Sequence, residues 1–249
     1  MPYCPSCGKE IEKDAIFCGN CGYQLAGKEE TSITPSVERT DAISALRKGV
    51  NIISGKPIVL LPALIGAAIS AILSFIAASY YYFLGVGILN MNFTPGQFGA
   101  LFIGVVLAII GGIISYIMTF ASLDMSRDAY QNKNLDLWES VNYVLKRIWT
   151  FIVASILAAI LAVTIILIPV VILMFVIMVV DEAGIKASLS QALKVFGNRL
   201  GDIIILIIIG IAGSAILGLI PYLGSILVAA FNVLIALAYI DIYTQYKIS

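Results

Sequence analysis

The sequence predicts an all-α integral membrane bundle of six transmembrane helices, with interfacial amphipathic helices and a small metal-bound head at the amino terminus. Three observations carry this. Of 249 residues, 60% are hydrophobic and 12% charged, with mean hydropathy +1.00; a soluble domain is about 45–50% apolar and about 25% charged. Several uncharged runs exceed about 18 residues, the length at which an apolar helix reads as a membrane span. All four cysteines fall within the first 21 residues.

The head is residues 1–25. Cys4-x-x-Cys7 and Cys18-x-x-Cys21 are separated by ten residues, and a glycine, Gly8 or Gly22, follows each pair. Two such knuckles supply four thiolates for tetrahedral zinc, and glycine lets the backbone turn beneath the metal. Four protein ligands leave no position for water, so a zinc on Cys4, Cys7, Cys18 and Cys21 would be structural. A segment this short buries too little surface to fold alone, and metal binding supplies the missing free energy. The paired spacing and the absence of a signal-peptide pattern argue against two disulfides.

The wording Tyr3-Cys4-Pro5-Ser6-Cys7-Gly8-Lys9-Glu10-Ile11, then Phe17-Cys18-Gly19-Asn20-Cys21-Gly22, resembles the short zinc ribbon at the start of many prokaryotic, especially archaeal, multi-pass membrane proteins. The resemblance implies zinc on the four cysteines and no activity. Some ribbons bind nucleic acid. Here Glu10, Glu12 and Asp14 outweigh Lys9 and Lys13, and zinc with four thiolates adds about two negative charges. An acidic head repels phosphate, which disfavours nucleic acid as a partner and leaves protein contact or simple capping. Residues 26–40 are polar, with Gly27, Pro35 and a run of Lys, Glu, Ser and Thr, and read as a flexible linker.

Residues 41–249 form the membrane domain. Spans are expected at Pro57–Phe83, Phe98–Ala121, Asp202–Ile220 and Tyr222–Tyr243, with two more inside Ile148–Val180. That run has 33 residues and no charge. It is too long for one span of about 20 residues and short for two. A hairpin turning near Ile165–Pro169 gives six spans; a single tilted helix gives five. In the hairpin reading every Lys and Arg falls on the side of the amino terminus, including Arg127, Lys133, Lys146, Arg147, Lys186, Lys194, Arg199 and Lys247. The positive-inside rule then places both termini in the cytoplasm, where thiols stay reduced for zinc. In the single-helix reading Lys186, Lys194 and Arg199 face outward. From Pro169 to Val180 the fourth span covers only about 18 Å against a core of about 30 Å, so the turn lies nearer Val163–Ile166 or the hairpin stops short.

Three amphipathic segments each precede a pair of spans. They share a spacing: Ala42, Ala45, Leu46, Arg47; Val141, Val144, Leu145, Lys146; Leu189, Ala192, Leu193, Lys194. On a helix this gives one apolar face with a cation beside it, the pattern of a helix lying in the headgroup region. Trp138 and Trp149 flank the second segment as interface anchors. The domain could therefore be three copies of interfacial helix plus hairpin, or could show only what cytoplasmic connections usually show. Small residues recur every fourth position: Gly66, Ser70, Ser74, Ala78; Gly104, Ala108, Gly112; Ala154, Ala158, Ala162; Gly210, Ser214, Gly218. Such stripes let helices approach closely in lipid.

The arrangement also resembles a broad set of prokaryotic six-span proteins, including the membrane domain fused ahead of some glycerophosphodiester phosphodiesterases. The likeness rests on the form of Lys186–Arg199 followed by a hairpin, and on the tail Ala238-Tyr239-Ile240-Asp241-Ile242-Tyr243. No phosphodiesterase domain is present, so that activity is not implied.

Intramembrane chemistry needs ionisable groups at depth. Asp124, Asp181, Glu182, Asp202 and Asp241 all sit at span ends, and Asn232 is the one strong polar residue well inside a span, more in keeping with an interhelical hydrogen bond than a ligand. Ser115, Tyr116 and Thr119 can bond back to their own helix. The chain has no histidine, hence no imidazole base. The expectation is a non-enzymatic membrane scaffold or accessory subunit whose ribbon contacts a protein partner. The alternative is a transporter or lipid-handling protein, expected to show a polar cavity between spans.

Overall fold

A computed structural model describes residues 7–10, 41–89, 95–220 and 223–248. The chain divides into two units, Met1–Arg39 and Thr40–Ser249; the linker expected over 26–40 lies outside the described residues. Helices form every described element of the second unit. They are α1 (Ala42–Gly55), α2 (Leu61–Leu89, after a 3-10 turn Pro57–Leu60), α3 (Pro95–Tyr130), α4 (Leu137–Lys146), α5 (Ile148–Ala162), α6 (Ile168–Val180, after a 3-10 turn Ile165–Leu167), α7 (Ile185–Asn198), α8 (Leu200–Gly218) and α9 (Gly224–Ile248).

Four segments are long and apolar enough to cross a membrane: Pro57–Ser79, Phe98–Tyr130, Leu200–Gly218 and Gly224–Ile248. The pair α4 and α5 would make a fifth, bent by 71°. Side chains such as Phe75, Phe102, Ile109, Ile208 and Ile211 stand exposed along these segments. In water such a surface is untenable; against lipid tails it needs no cover. Helix α3 continues nine residues past the expected end at Ala121, because Asp124–Tyr130 stays helical and carries its charged groups into packed surroundings.

The uncharged run folds back on itself. Arg147, just before α5, donates to the carbonyls of Met178 (3.3 Å), Glu182 (3.2 Å) and Ala183 (3.0 Å), just at and beyond the end of α6. One continuous helix of this length would hold its ends about 50 Å apart, so the single-helix alternative does not describe this chain. The bend falls at Val163–Leu167, and Pro169 lies in the first turn of α6 rather than ending the turn. Proline fits there because the first turn of a helix has no partner for its missing N–H.

The arms of this hairpin have 15 and 13 residues, about 22 and 20 Å, shorter than a ~30 Å hydrocarbon core. Helix α6 can be short because it is core. Pro169, Val170, Leu173, Met174, Val176, Ile177, Met178 and Val179 are all buried, packed with residues of α3, α5, α7 and α9. A helix apolar on every side is buried in protein or in lipid, and the packing shows that this one is buried in protein. Phe120 of α3 stacks on Phe151 of α5 with centroids 4.3 Å apart and meets Phe175 of α6 edge-on.

Helices α1, α4 and α7 are the three amphipathic segments read from the sequence. Asp41 caps α1, accepting from the Ser44 amide at 2.8 Å. Asp136 caps α4, accepting from the amides of Trp138 (2.7 Å) and Glu139 (3.2 Å). These bonds satisfy first-turn N–H groups that have no helical partner. Ala45, Val144 and Ala192, equivalent in the shared spacing, are each 0% exposed. Trp138 and Trp149 are 69% and 77% exposed.

Candidate functional site

In the head, described residues are 7–10. Cys7 is exposed, and Gly8 has φ +70° with open space where a Cβ would stand. That left-handed conformation costs an L side chain about 1–2 kcal/mol, which accounts for glycine directly after the cysteine. Cys4, Cys18 and Cys21 lie outside the described residues. Four cysteine thiols in two pairs form a donor set suited to zinc, and the turn at Gly8 fits a knuckle. Among the described residues no group of three or more His, Cys, Asp or Glu side chains is arranged to hold a metal.

The bundle gathers Asp124, Arg127 and Asp128 of α3, Asp181 and Glu182 after α6, and Asp241 of α9 at one end. Arg127, near the end of α3, is buried. Its guanidinium lies 2.9 Å from both Asp124 and Asp128 and 3.3 Å from Glu182, and it donates to the Val179 carbonyl at 3.1 Å. The Asp124 contact is an ion pair without hydrogen-bond alignment. Arg127 and Arg147 together cover the last carbonyls of α6, where the helix dipole favours cations. Glu182, with φ +51°, makes the left-handed step that ends this helix.

Two further clusters tie α9 into the layer. Asp241, 1% exposed, accepts through one oxygen from Lys48 of α1 (2.7 Å) and the Tyr130 hydroxyl of α3 (2.6 Å). Its other oxygen is buried without a partner. Asp181 accepts from the Tyr243 hydroxyl and from Lys247 at 2.9 Å. Burial alone would depress the Lys48 ammonium, but bonding to Asp241 and Tyr130 outweighs it and leaves Lys48 above its usual value. Asp41 is held below the ordinary carboxylate value by the Ser44 amide and hydroxyl.

The sequence placed Asp124, Asp181, Glu182, Asp202 and Asp241 at span ends; in the structure Asp181 and Glu182 follow α6, Asp202 lies in the first turn of α8, and Asp124 and Asp241 lie six and seven residues before the ends of α3 and α9. Asp202 pairs with Arg199 at 3.6 Å. Partners could not be read from sequence, because Lys48 and Asp241 are 193 residues apart. Thr119 bonds back to the Ser115 carbonyl as expected (2.8 Å), while Tyr116 reaches Ser155 of α5 instead (2.9 Å). Asn232 faces Ser214 of α8 at 3.5 Å, the interhelical arrangement. Between α2 and α3 the small-residue stripes leave a crevice of about 400 Å³, bordered by Ser70, Ser74, Ala78, Ala108, Gly112 and Ser115 among others. The Ser70 hydroxyl there is buried without a partner.

The fold and these sites define a class: a helical bundle with four segments long and apolar enough to cross a membrane, preceded in sequence by a head with two cysteine pairs. Residues 3–25 match the zinc-ribbon domain family, which fixes the nature of the head and covers about a tenth of the chain. No curated protein and no solved structure matches the chain, and the likeness of the bundle to domains fused to phosphodiesterases gains no support from them.

Proposed function

We propose that this is a multi-pass membrane protein with both termini in the cytoplasm, acting as a non-enzymatic scaffold or accessory subunit that presents a zinc ribbon to a protein partner. The observation that carries the reading is the ribbon match at residues 3–25 ahead of a bundle with four crossing-length helices. Cys4, Cys7, Cys18 and Cys21 would hold one structural zinc. That is supported by the paired spacing and the turn at Gly8, and Cys18→Ser should abolish stoichiometric zinc. Sidedness is supported by the cations collected at one end. Six crossings require α5 and α6 to count as two; their paired ends support a return, and their length favours a hairpin stopping short inside the bundle.

The test is purification in mild detergent through a tag after Ser249, with copurifying proteins identified by mass spectrometry. A stoichiometric partner, lost on removing residues 1–25, supports the reading. A solitary protein that moves a solute or lipid overturns it. The second reading, lipid handling or transport, is favoured by the hydroxyl-bordered crevice between α2 and α3.

A further inference from the structure

Arg47, Lys146 and Lys194 hold the same place on the three amphipathic helices. Each follows a buried residue and an apolar one: Ala45-Leu46-Arg47, Val144-Leu145-Lys146 and Ala192-Leu193-Lys194. All three cations are exposed, and none forms an ion pair with a described carboxylate. Arg47 influences Asp41 by charge alone, and Glu139 lies two turns from Lys146 on α4. Asp136 is taken up by the first amides of α4, and Asp124, Asp128, Asp181, Glu182, Asp202 and Asp241 pair with Arg127, Lys133, Lys247, Arg199 and Lys48. The neighbours of the three cations place them at a common end: Lys48 bonds α9, Arg147 bonds the end of α6, and Asn198 of α7 reaches Tyr246 of α9.

We propose that Arg47, Lys146 and Lys194 form a collar that binds the phosphates of anionic phospholipids. The charge calls for an anion, and the surroundings call for hydrocarbon on the same ligand. Exposed Ile43 lies one turn before Arg47, exposed Leu145 and Trp149 bracket Lys146, and exposed Leu193 adjoins Lys194. Soluble phosphate would leave those side chains in water; a phospholipid covers them while its headgroup meets the cation. Equivalent spacing on three helices gives three such positions.

The proposal rests on the membrane reading above. The full chain is reconstituted into phosphatidylcholine nanodiscs containing a minority of phosphatidylglycerol, and the lipids retained on the protein are identified by native mass spectrometry. Failure to insert counts against the membrane reading itself. The collar predicts enrichment of phosphatidylglycerol, a loss of about fivefold for each of Arg47→Gln, Lys146→Gln and Lys194→Gln, retention in the charge-keeping R47K/K146R/K194R chain, and no competition by inorganic phosphate. Lys133→Gln, whose lysine sits beside Asp128, should leave enrichment unchanged. Insertion without headgroup preference, undiminished enrichment in the three glutamine variants, an equal loss in Lys133→Gln, or displacement by inorganic phosphate would each overturn it.

Discussion

The pairing of Lys48 with Asp241 is asymmetric, and the asymmetry has a measurable consequence. The lysine side chain is 45% exposed and the carboxylate 1%. Without the carboxylate, the ammonium can turn to water; without the lysine, a buried charge keeps only Tyr130. Lys48→Ala should therefore lower thermal stability in detergent more than Asp241→Asn, by about 1–3 kcal/mol. An equal or reversed ranking would contradict this asymmetry. The same helix also carries a pH window. Asp41 is depressed, so its stabilisation is complete above 3.8 and lost as pH falls through its folded value. Lys48 is raised, so its stabilisation is complete below 10.5 and lost as pH rises through its folded value. Hydrogen exchange of α1 amides, corrected for intrinsic rates, should show greatest protection between these limits. Asp41→Asn keeps a capping side chain and should remove the acid limb.

At the scale of elements, the sequence marked the helices well and their contacts less well. The three amphipathic helices were legible because hydrophobic spacing encodes a face, and Ala45, Val144 and Ala192 are the residues that face inward. The small-residue stripe of α8 was read as Gly210, Ser214 and Gly218, yet a Cβ at Gly210 would meet only ordinary contact at 3.9 Å. The close approach is at Gly213, where a Cβ would stand 2.4 Å from the Phe231 ring. Spacing identifies small residues, but the partner's side chains decide which one is needed. Gly213→Ala should destabilise the bundle, whereas Gly112→Ala, with nothing within 4 Å, should be tolerated; thermal melting of the two variants compares them directly. Equal tolerance would mean that Phe231 swings away without cost. The depth of α6 was hidden for a related reason. A run apolar on every side suits lipid or protein equally, and only packing against α3, α5, α7 and α9 distinguishes them.

For the whole molecule, the account turns on where the chain lies at each loop. The ends of Ile148–Val180 meet through Arg147, and Arg127, Asp181, Asp241 and Lys48 link α1, α3, α6 and α9 at the same end. Charge distribution alone suggested this arrangement, and the bonds that hold it span dozens of residues, beyond what local pattern conveys. The direct measurement is sided labelling. Cysteine is placed at Lys133 or Lys186, both exposed, and sealed vesicles of known orientation are treated with an impermeant polyethylene-glycol maleimide, counting the added mass over the parent chain. The account predicts that both positions label from the cytoplasmic face. Labelling of Lys186→Cys only from the opposite face to Lys133→Cys would show that the run crosses once, and would contradict both the folded-back hairpin and the single-ended polar layer.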